Sequence, residues 1–192
     1  MTDRDFKVLD FINLVGICRT IHLKKLFFND CSNTVLNRRT SKLAEYGELK
    51  RFRCDIFDRE YVYYNDKKPN QRILRHDLYI TDLVLALLNM GVEIISLDRN
   101  VVIDNVISDA FIVTRYNNLK RSFLVEVQLS GKLSDCTDKY KNLDTIKNFM
   151  ESQNLNTLPK LLVISDLKGP IKTKLKYYHI NCSLDSVQEC FL

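Results

Sequence analysis

The chain has 192 residues, of which 45% are hydrophobic and 28% charged, and its formal net charge is +5. This length suffices for one large domain or two small ones with hydrophobic cores. The sequence has no run of 18 apolar residues and begins without a signal-peptide pattern. Composition and the N-terminal sequence therefore argue against a membrane-spanning or secreted protein, and we expect a soluble intracellular protein.

Six cysteines and three histidines are scattered along the chain, without a Cys-x-x-Cys pair. In a reducing cytosol such cysteines are expected to be unpaired thiols. Their spacing does not fit a structural zinc site. The sequence alone therefore predicts no cofactor, apart from the Mg²⁺ alternative considered below.

Positive charge is concentrated in the first part of the chain. Residues 1–75 carry 16 Lys and Arg against 10 Asp and Glu, whereas residues 76–192 carry 13 against 14. This asymmetry is typical of a protein whose N-terminal part meets phosphate and whose remainder does not.

Three helices are predicted in the N-terminal part, over residues 4–14, 20–28 and from 33 onward. Ser32 is a plausible N-cap of the third helix. One stripe of this helix points inward and consists of Leu36, Thr40, Leu43 and Gly47. The opposite face is polar and cationic, as required of a helix that contacts base edges or phosphates in the major groove. From this helix we expect DNA contacts by Asn33, Thr34, Asn37, Arg38, Arg39, Ser41 and Lys42.

A basic β-hairpin is predicted after the third helix. Residues 49–57 alternate basic and apolar side chains, residues 58–60 form a turn candidate, and residues 61–64 are rich in β-forming types. Three helices followed by a two-stranded hairpin correspond to a winged helix-turn-helix domain. The hairpin cations expected to neutralise phosphates are Lys50, Arg51, Arg53 and Arg59. The alternatives are a small helical domain with a solvated basic face and a winged helix that binds protein.

The domain bounds predicted from sequence are 1–66 for the winged helix, 67–75 for a linker and 76–192 for an α/β domain. The second domain is expected to begin with a buried helix over residues 76–90. Strands follow over residues 92–97, 101–107, 110–116 and 121–129, then one helix over 134–152 and strands over 161–165 and 177–182. This order predicts an α/β fold with a mixed central sheet.

A pair of acidic residues stands on two neighbouring predicted strands. Asp109 begins one strand, and Glu126 and Gln128 lie on the next. This pattern resembles the core of the PD-(D/E)xK nucleases, in which two carboxylates hold Mg²⁺ and a lysine assists water. Here Ser108 replaces the proline and Gln128 replaces the lysine, as in a few nucleases of this type. Lys132 or Lys139 is close enough in sequence to supply the missing charge, and the alternative is that both carboxylates are structural.

Several segments together resemble the replication-relaxation family: the N-terminal pattern leading into residues 59–64, the helix opening with residues 76–82, and the segments 109–113 and 123–128. Proteins of this family occur on plasmids, conjugative elements and phages of bacteria, so the resemblance implies a cytoplasmic bacterial protein associated with the nucleoid or a plasmid. The resemblance covers nearly the whole chain. It implies a DNA-binding protein of mobile-element replication, mobilisation or transcriptional regulation, and it implies no shared enzymatic activity.

The leading hypothesis is therefore a double-stranded DNA binder that forms a homodimer, because one winged helix buries little surface on DNA. Its nuclease-like domain is expected to be inactive and to serve dimerisation or docking. Neither a membrane nor a small-molecule substrate is expected as a partner. The alternative is a Mg²⁺-dependent endonuclease or nickase that uses Asp109 and Glu126, with Gln128 and Lys132 assisting.

Overall fold

The computed structural model describes residues 1–191, which belong to two compact units, Met1–Leu85 and Ala86–Leu192. Leu192, the last residue of the expected second domain, lies outside the described residues. Both helices and strands are present, so the expected α/β class is confirmed. No helix in the described part of the chain is long and apolar enough to cross a membrane.

The first unit contains a three-helix segment and a small antiparallel sheet. Its elements are α1 (Asp3–Val15), β1 (Ile17–Arg19), α2 (Thr20–Phe27), α3 (Asn33–Glu45), β2 (Lys50–Cys54) and β3 (Glu60–Tyr64). The strand order is β1-β3-β2, with Ile17 opposite Tyr64 on one side and Lys50 opposite Tyr64 on the other. The short strand β1 was not predicted, because three residues are too few for an alternation pattern.

The division between the units falls inside helix α4 (Leu74–Asn89) and not at the expected linker, residues 67–75. Leu74 and Leu78 are buried in one cluster with residues of the small sheet, among them Val62. The Thr81 hydroxyl also donates a hydrogen bond to the Ile17 carbonyl at 2.6 Å. The first part of α4 therefore belongs to the N-terminal unit.

The N-cap of helix α3 is the predicted one, and most of its predicted inward stripe is buried. The Ser32 hydroxyl accepts a hydrogen bond from the Val35 N–H at 3.4 Å, which caps the helix. Leu36, Thr40 and Leu43 are buried. Gly47 was placed on this inward stripe incorrectly: the helix ends at Glu45, and Gly47 is exposed in a turn with a φ of 77°.

The second unit is built on a five-stranded mixed sheet of order β4-β5-β6-β7-β8. Its strands are β4 (Glu93–Ile103), β5 (Val106–Tyr116), β6 (Leu119–Val127), β7 (Lys160–Ile164) and β8 (Tyr177–Ile180). The first three pair antiparallel, and β7 and β8 continue the sheet in parallel. Two helices, α5 (Leu133–Thr137) and α6 (Leu143–Ser152), follow β6.

Two predicted elements of this unit were wrong in their bounds. The strands expected over residues 92–97 and 101–107 are largely one strand, β4, which has a bulge between Ile94 and Ser96. The turn that ends it lies at residues 104–105, where Asp104 adopts a φ of 55°. The hairpin predicted at residues 116–119 is confirmed, with Asn117 and Asn118 both at positive φ.

The single helix predicted over residues 134–152 is interrupted. After α5 the chain forms a 3₁₀ turn over Asp138–Tyr140, and the Asn142 side chain then caps α6 by accepting from the Asp144 N–H at 3.1 Å. The helical periodicity of the sequence did not reveal this break, because a 3₁₀ turn has nearly the same spacing. The interruption brings the side chains of Lys139 and Tyr140 to Glu126.

Candidate nucleic-acid interface and carboxylate cluster

The outer face of α3 is exposed and carries charge without local partners. Thr34, Asn37, Arg38 and Lys42 are exposed, and Ser41 is half-buried. Within residues 1–191 the side chains of Arg38 and Lys42 make no ion pair and no hydrogen bond. Their charges are therefore available to an external anion.

A second basic group lies beside α3 on the hairpin. The Arg51 guanidinium donates to the Ser41 hydroxyl at 2.8 Å and lies 4.2 Å from the centre of the Tyr61 ring. The Arg53 guanidinium lies 4.6 Å from the centre of the same ring. Such cation–π contacts hold two guanidinium groups close together despite their like charge. We call Ser41, Arg51, Arg53 and Tyr61 the hairpin patch.

Buried hydroxyl groups fix the hairpin patch relative to α3. Tyr63 of β3 is fully buried, and its hydroxyl lies 3.3 Å from the Thr40 hydroxyl of α3 and 3.4 Å from that of Thr20. Burial raises the pKa of Tyr63, so this hydroxyl stays protonated and available for hydrogen bonding. The patch and the exposed face of α3 therefore form one fixed surface.

Two further predicted cations lie towards the ends of the hairpin. The Lys50 ammonium donates to the Asp66 carbonyl at 2.8 Å. Arg59 follows the hairpin turn, and its side chain is 76% exposed, with only a long contact of 3.9 Å to Asp55. The side chain of Arg59 is therefore more available than that of Lys50 to contact a phosphate.

Arg39, which was expected to contact DNA, has a partner inside the protein. Its Nε and Nη2 donate to the two oxygens of Asp5, a fully buried carboxylate of α1. The hydrogen bonds from Arg39 hold the pKa of Asp5 down at about 2, against the opposing effect of burial. Arg39 therefore ties α3 to α1. Asn33, the first residue of α3, is exposed at the helix N-terminus.

An open cleft of about 450 Å³ borders the exposed face of α3. It is lined by Thr2, Arg4, Phe28, Val35, Arg38, Arg39 and Lys42. Arg4 was missed from the sequence, because nothing in the first turn of α1 indicates its proximity to α3. Its guanidinium lies 5.2 Å from the centre of the Phe28 ring and 3.5 Å from Asp30.

The acidic pair of the second unit sits where the β5–β6 ladder ends. The last paired residues are Ala110 and Val125, and Asp109 and Glu126 are the next residue on each strand. Asp109 accepts a hydrogen bond from the Val127 N–H at 2.8 Å. Glu126 is only 2% exposed. The two carboxylates are therefore neighbours, as the sequence pattern predicted.

Both oxygens of Glu126 have partners. The Tyr140 hydroxyl donates to Oε1, and the Lys139 ammonium lies 2.8 Å from Oε2. Burial, followed by the nearby charge of Asp109, raises the pKa of Glu126 to about 7, although Lys139 and Tyr140 oppose this shift. We call Asp109, Glu126, Lys139 and Tyr140 the carboxylate cluster.

The other two residues predicted for this site, Gln128 and Lys132, form hydrogen bonds with nearby residues of the chain. The Gln128 side-chain amide donates to the Ser130 carbonyl. Lys132 is exposed at the start of α5, and its backbone N–H donates to Asp135 at 3.3 Å. Of the two lysines considered from sequence, Lys139 is the one whose ammonium pairs with Glu126.

The carboxylate cluster does not fit Mg²⁺ in this arrangement. Mg²⁺ requires octahedral oxygen coordination at about 2.0–2.1 Å. One Asp109 oxygen accepts a backbone N–H, and both Glu126 oxygens are engaged by Tyr140 and Lys139. In the described part of the chain no group of three or more His, Cys, Asp or Glu side chains is placed to hold a metal ion.

Burial of Glu126 predicts a pH-dependent stability. Between about pH 4.5 and 7 the folded state binds more protons at Glu126 than the unfolded state, so the free energy of unfolding falls as pH rises through this window. Relative to Glu126→Gln, the wild type should lose about 3 kcal/mol between pH 5 and pH 8. Urea unfolding of both proteins in EDTA measures this difference, and parallel pH profiles would contradict it.

Comparisons with known proteins leave the function to be argued from this geometry. No family model, no curated protein and no solved structure matches the chain. The surface around α3 and the carboxylate cluster are therefore the features from which a function is proposed.

Proposed function

We propose that the protein binds double-stranded DNA through α3 and the adjoining hairpin, as winged helix-turn-helix domains do. The observation that carries this proposal is the unpaired charge of Arg38 and Lys42 beside the hairpin patch. Cations on a folded surface that lack local partners gain most from a polyanion, because releasing its counterions favours association. The process served is the replication, mobilisation or transcription of a mobile element, in line with the resemblance noted above.

The dimensions of α3 support this role. It has 13 residues and is therefore about 20 Å long, and the major groove, about 12 Å wide, admits such a helix. Its exposed side chains are mostly small polar or cationic ones. In the proposed complex Thr34, Asn37 and Arg38 face base edges. Arg51, Arg53 and Arg59 of the hairpin face phosphates.

The order of elements supports a winged helix as well. Three helices precede a hairpin, and a short strand between the first two helices completes a three-stranded sheet. The alternative is a basic face that is only solvated. It gives no reason for the guanidinium groups of Arg51 and Arg53 to lie over the same tyrosine ring next to α3. A winged helix that binds an acidic protein surface is the remaining competitor.

For the second unit we propose a PD-(D/E)xK-like scaffold that does not cleave DNA and serves dimerisation or docking. The order of elements supports this assignment: three antiparallel strands, two helices that follow them, and two parallel strands. A homodimer would double the DNA surface covered by one winged helix. The alternative, a Mg²⁺-dependent nuclease using Asp109 and Glu126, predicts nicking of supercoiled plasmid in Mg²⁺ or Mn²⁺ that is lost in Glu126→Ala.

Removal of the hairpin patch tests the proposed interface. We expect Arg51→Ala/Arg53→Ala to weaken duplex binding about 10–100-fold near 0.1 M NaCl, and to flatten the plot of log K against log salt concentration by about two units. Fluorescence anisotropy with a labelled duplex measures both quantities.

The matched control removes two cations from the second unit. Arg115 and Lys120 are exposed on neighbouring strands of the larger sheet. Arg115→Ala/Lys120→Ala should bind DNA like the wild type. If both double variants bind like the wild type, the hairpin patch does not contact DNA.

A further inference from the structure

A pocket of about 250 Å³ lies within the first unit and is lined by residues of β1, the hairpin turn and helix α4. Its apolar and aromatic surface comes from Ile56, Phe57, Leu78 and Tyr79. Its charged groups are Arg19, Arg75 and Asp82. Sites for small molecules have this composition, in which apolar walls bury the ligand and a few polar groups orient it.

The hairpin turn provides the apolar wall. Ile56 and Phe57 belong to the 3₁₀ turn between β2 and β3. Phe57 packs against the buried cluster that contains Leu78 of α4, so this side of the pocket is held by the core. Ile56 remains 38% exposed. A ligand that covers this side chain therefore gains the free energy of removing apolar surface from water.

Helix α4 provides a cation at its beginning. Arg75, Leu78, Tyr79 and Asp82 follow one another at the spacing of a single helix face. Arg75 is exposed, makes no ion pair or hydrogen bond within residues 1–191, and is the second residue of the helix, where the helix dipole also favours an anion. Asp82 lies about 10 Å further along the axis. Its Oδ1 is engaged by Nε2 of His22 at 2.8 Å, so its charge is at the other end of this face.

The Arg19 guanidinium has unused hydrogen-bonding capacity. It lies 4.6 Å from the centre of the Phe57 ring, and its Nη1 is 3.6 Å from Oε2 of Glu60, which is a long contact. Its Nε is buried and has no hydrogen-bond partner within residues 1–191. Buried donors without a partner are uncommon in folded proteins. A carboxylate in the pocket supplies the missing acceptor when the guanidinium turns away from Glu60.

We propose that this pocket binds a small aromatic carboxylic acid in its ionised form. The carboxylate pairs with the guanidinium of Arg75, with Arg19 as a second donor, and the ring lies against Ile56 and Phe57. Guanidinium–carboxylate pairs fix orientation as well as adding affinity, and aromatic rings favour each other at such distances. Because the volume is below the usual range of about 300–1,000 Å³, the ligand has a single ring. This inference does not depend on DNA binding.

Benzoate is the probe that tests this site. It is titrated into the full chain near neutral pH, and binding is followed by the amide chemical shifts of the protein. We expect one site with a Kd of about 1 mM, with the largest shifts at residues 55–57 and 75–82. Acetate lacks the ring and benzyl alcohol lacks the charge, so each should bind at least tenfold more weakly than benzoate.

Two variants of exposed residues identify the pocket. Arg75→Met removes the charge but keeps an unbranched side chain, and Ile56→Asp places a carboxylate on the apolar wall. Each should weaken benzoate binding at least tenfold and leave the fold intact, because both positions are exposed. Arg72→Met is the matched control, since Arg72 is exposed just before α4 and does not line the pocket. This control should bind benzoate like the wild type.

Three results would overturn the proposal. One is the absence of saturable shifts with benzoate. Another is an affinity that stays unchanged in Arg75→Met and Ile56→Asp, or that falls equally in Arg72→Met, because binding would then not involve this pocket. The third is acetate binding as tightly as benzoate, which would show an anion site that does not select a ring.

Discussion

Arg38→Ala is expected to abolish the sequence preference of DNA binding while leaving the protein folded. Arg38 lies in the middle of the exposed face of α3, makes no ion pair or hydrogen bond within residues 1–191, and borders an open cleft. An arginine that reads guanine in the major groove contributes about 1–3 kcal/mol of discrimination between base pairs. Selection from a pool of random duplexes, followed by affinity measurement on selected and scrambled duplexes, measures the loss.

A phosphate-contacting residue provides the comparison. Arg59→Ala removes a cation at the far end of the hairpin, whose side chain is 76% exposed. This variant should weaken binding to all duplexes about equally and select the same sequences as the wild type. If Arg38→Ala also selects the wild-type sequences, Arg38 does not read bases, and α3 contacts DNA only through phosphates.

The second large effect concerns stability. Arg39→Ala should lower the free energy of unfolding by about 2–3 kcal/mol, because it leaves the buried carboxylate of Asp5 without its charged partner. The hydrogen bonds from Arg39 keep the pKa of Asp5 at about 2. This contribution is present above about pH 4 and disappears as pH falls towards 2, so the variant and the wild type should converge in acid. Urea unfolding followed by circular dichroism measures the difference.

The neighbouring arginine is the control for this prediction. Arg38 is exposed and makes no ion pair with any residue from 1 to 191, so Arg38→Ala should change the free energy of unfolding by no more than about 0.5 kcal/mol. Similar small effects for Arg38→Ala and Arg39→Ala would show that the Asp5 pair does not hold α1 against α3.

Features set by nearby residues were predictable from the sequence. Ser32 caps α3, the stripe Leu36, Thr40 and Leu43 is buried, and Asn117-Asn118 turns a hairpin. Each depends on contacts within a few residues, so the local pattern contains the information. The adjacent acidic residues, Asp109 and Glu126, were also placed together, because successive antiparallel strands in a hairpin must pair.

Features set by distant residues were not predictable in this way. The DNA contact expected of Arg39 stays a prediction, but its pair with Asp5 of α1 is visible only in the fold. Strand β1 exists because β3 provides its partner. The break after α5 was hidden by a helical period that continues through the 3₁₀ turn, so the approach of Tyr140 to Glu126 had no sequence signal. In each case a tertiary contact decides the role of a side chain.

Selection of duplexes by the wild-type chain tests the central claim most directly. The protein is incubated at about 0.1 M NaCl with a pool of random duplexes, and bound DNA is recovered over successive rounds and sequenced. DNA reading by α3 predicts that a short motif becomes enriched, with an affinity at least about 10³-fold above that of random duplex. A pool that stays random after repeated rounds, or a protein that retains no duplex even at low salt, would contradict the claim.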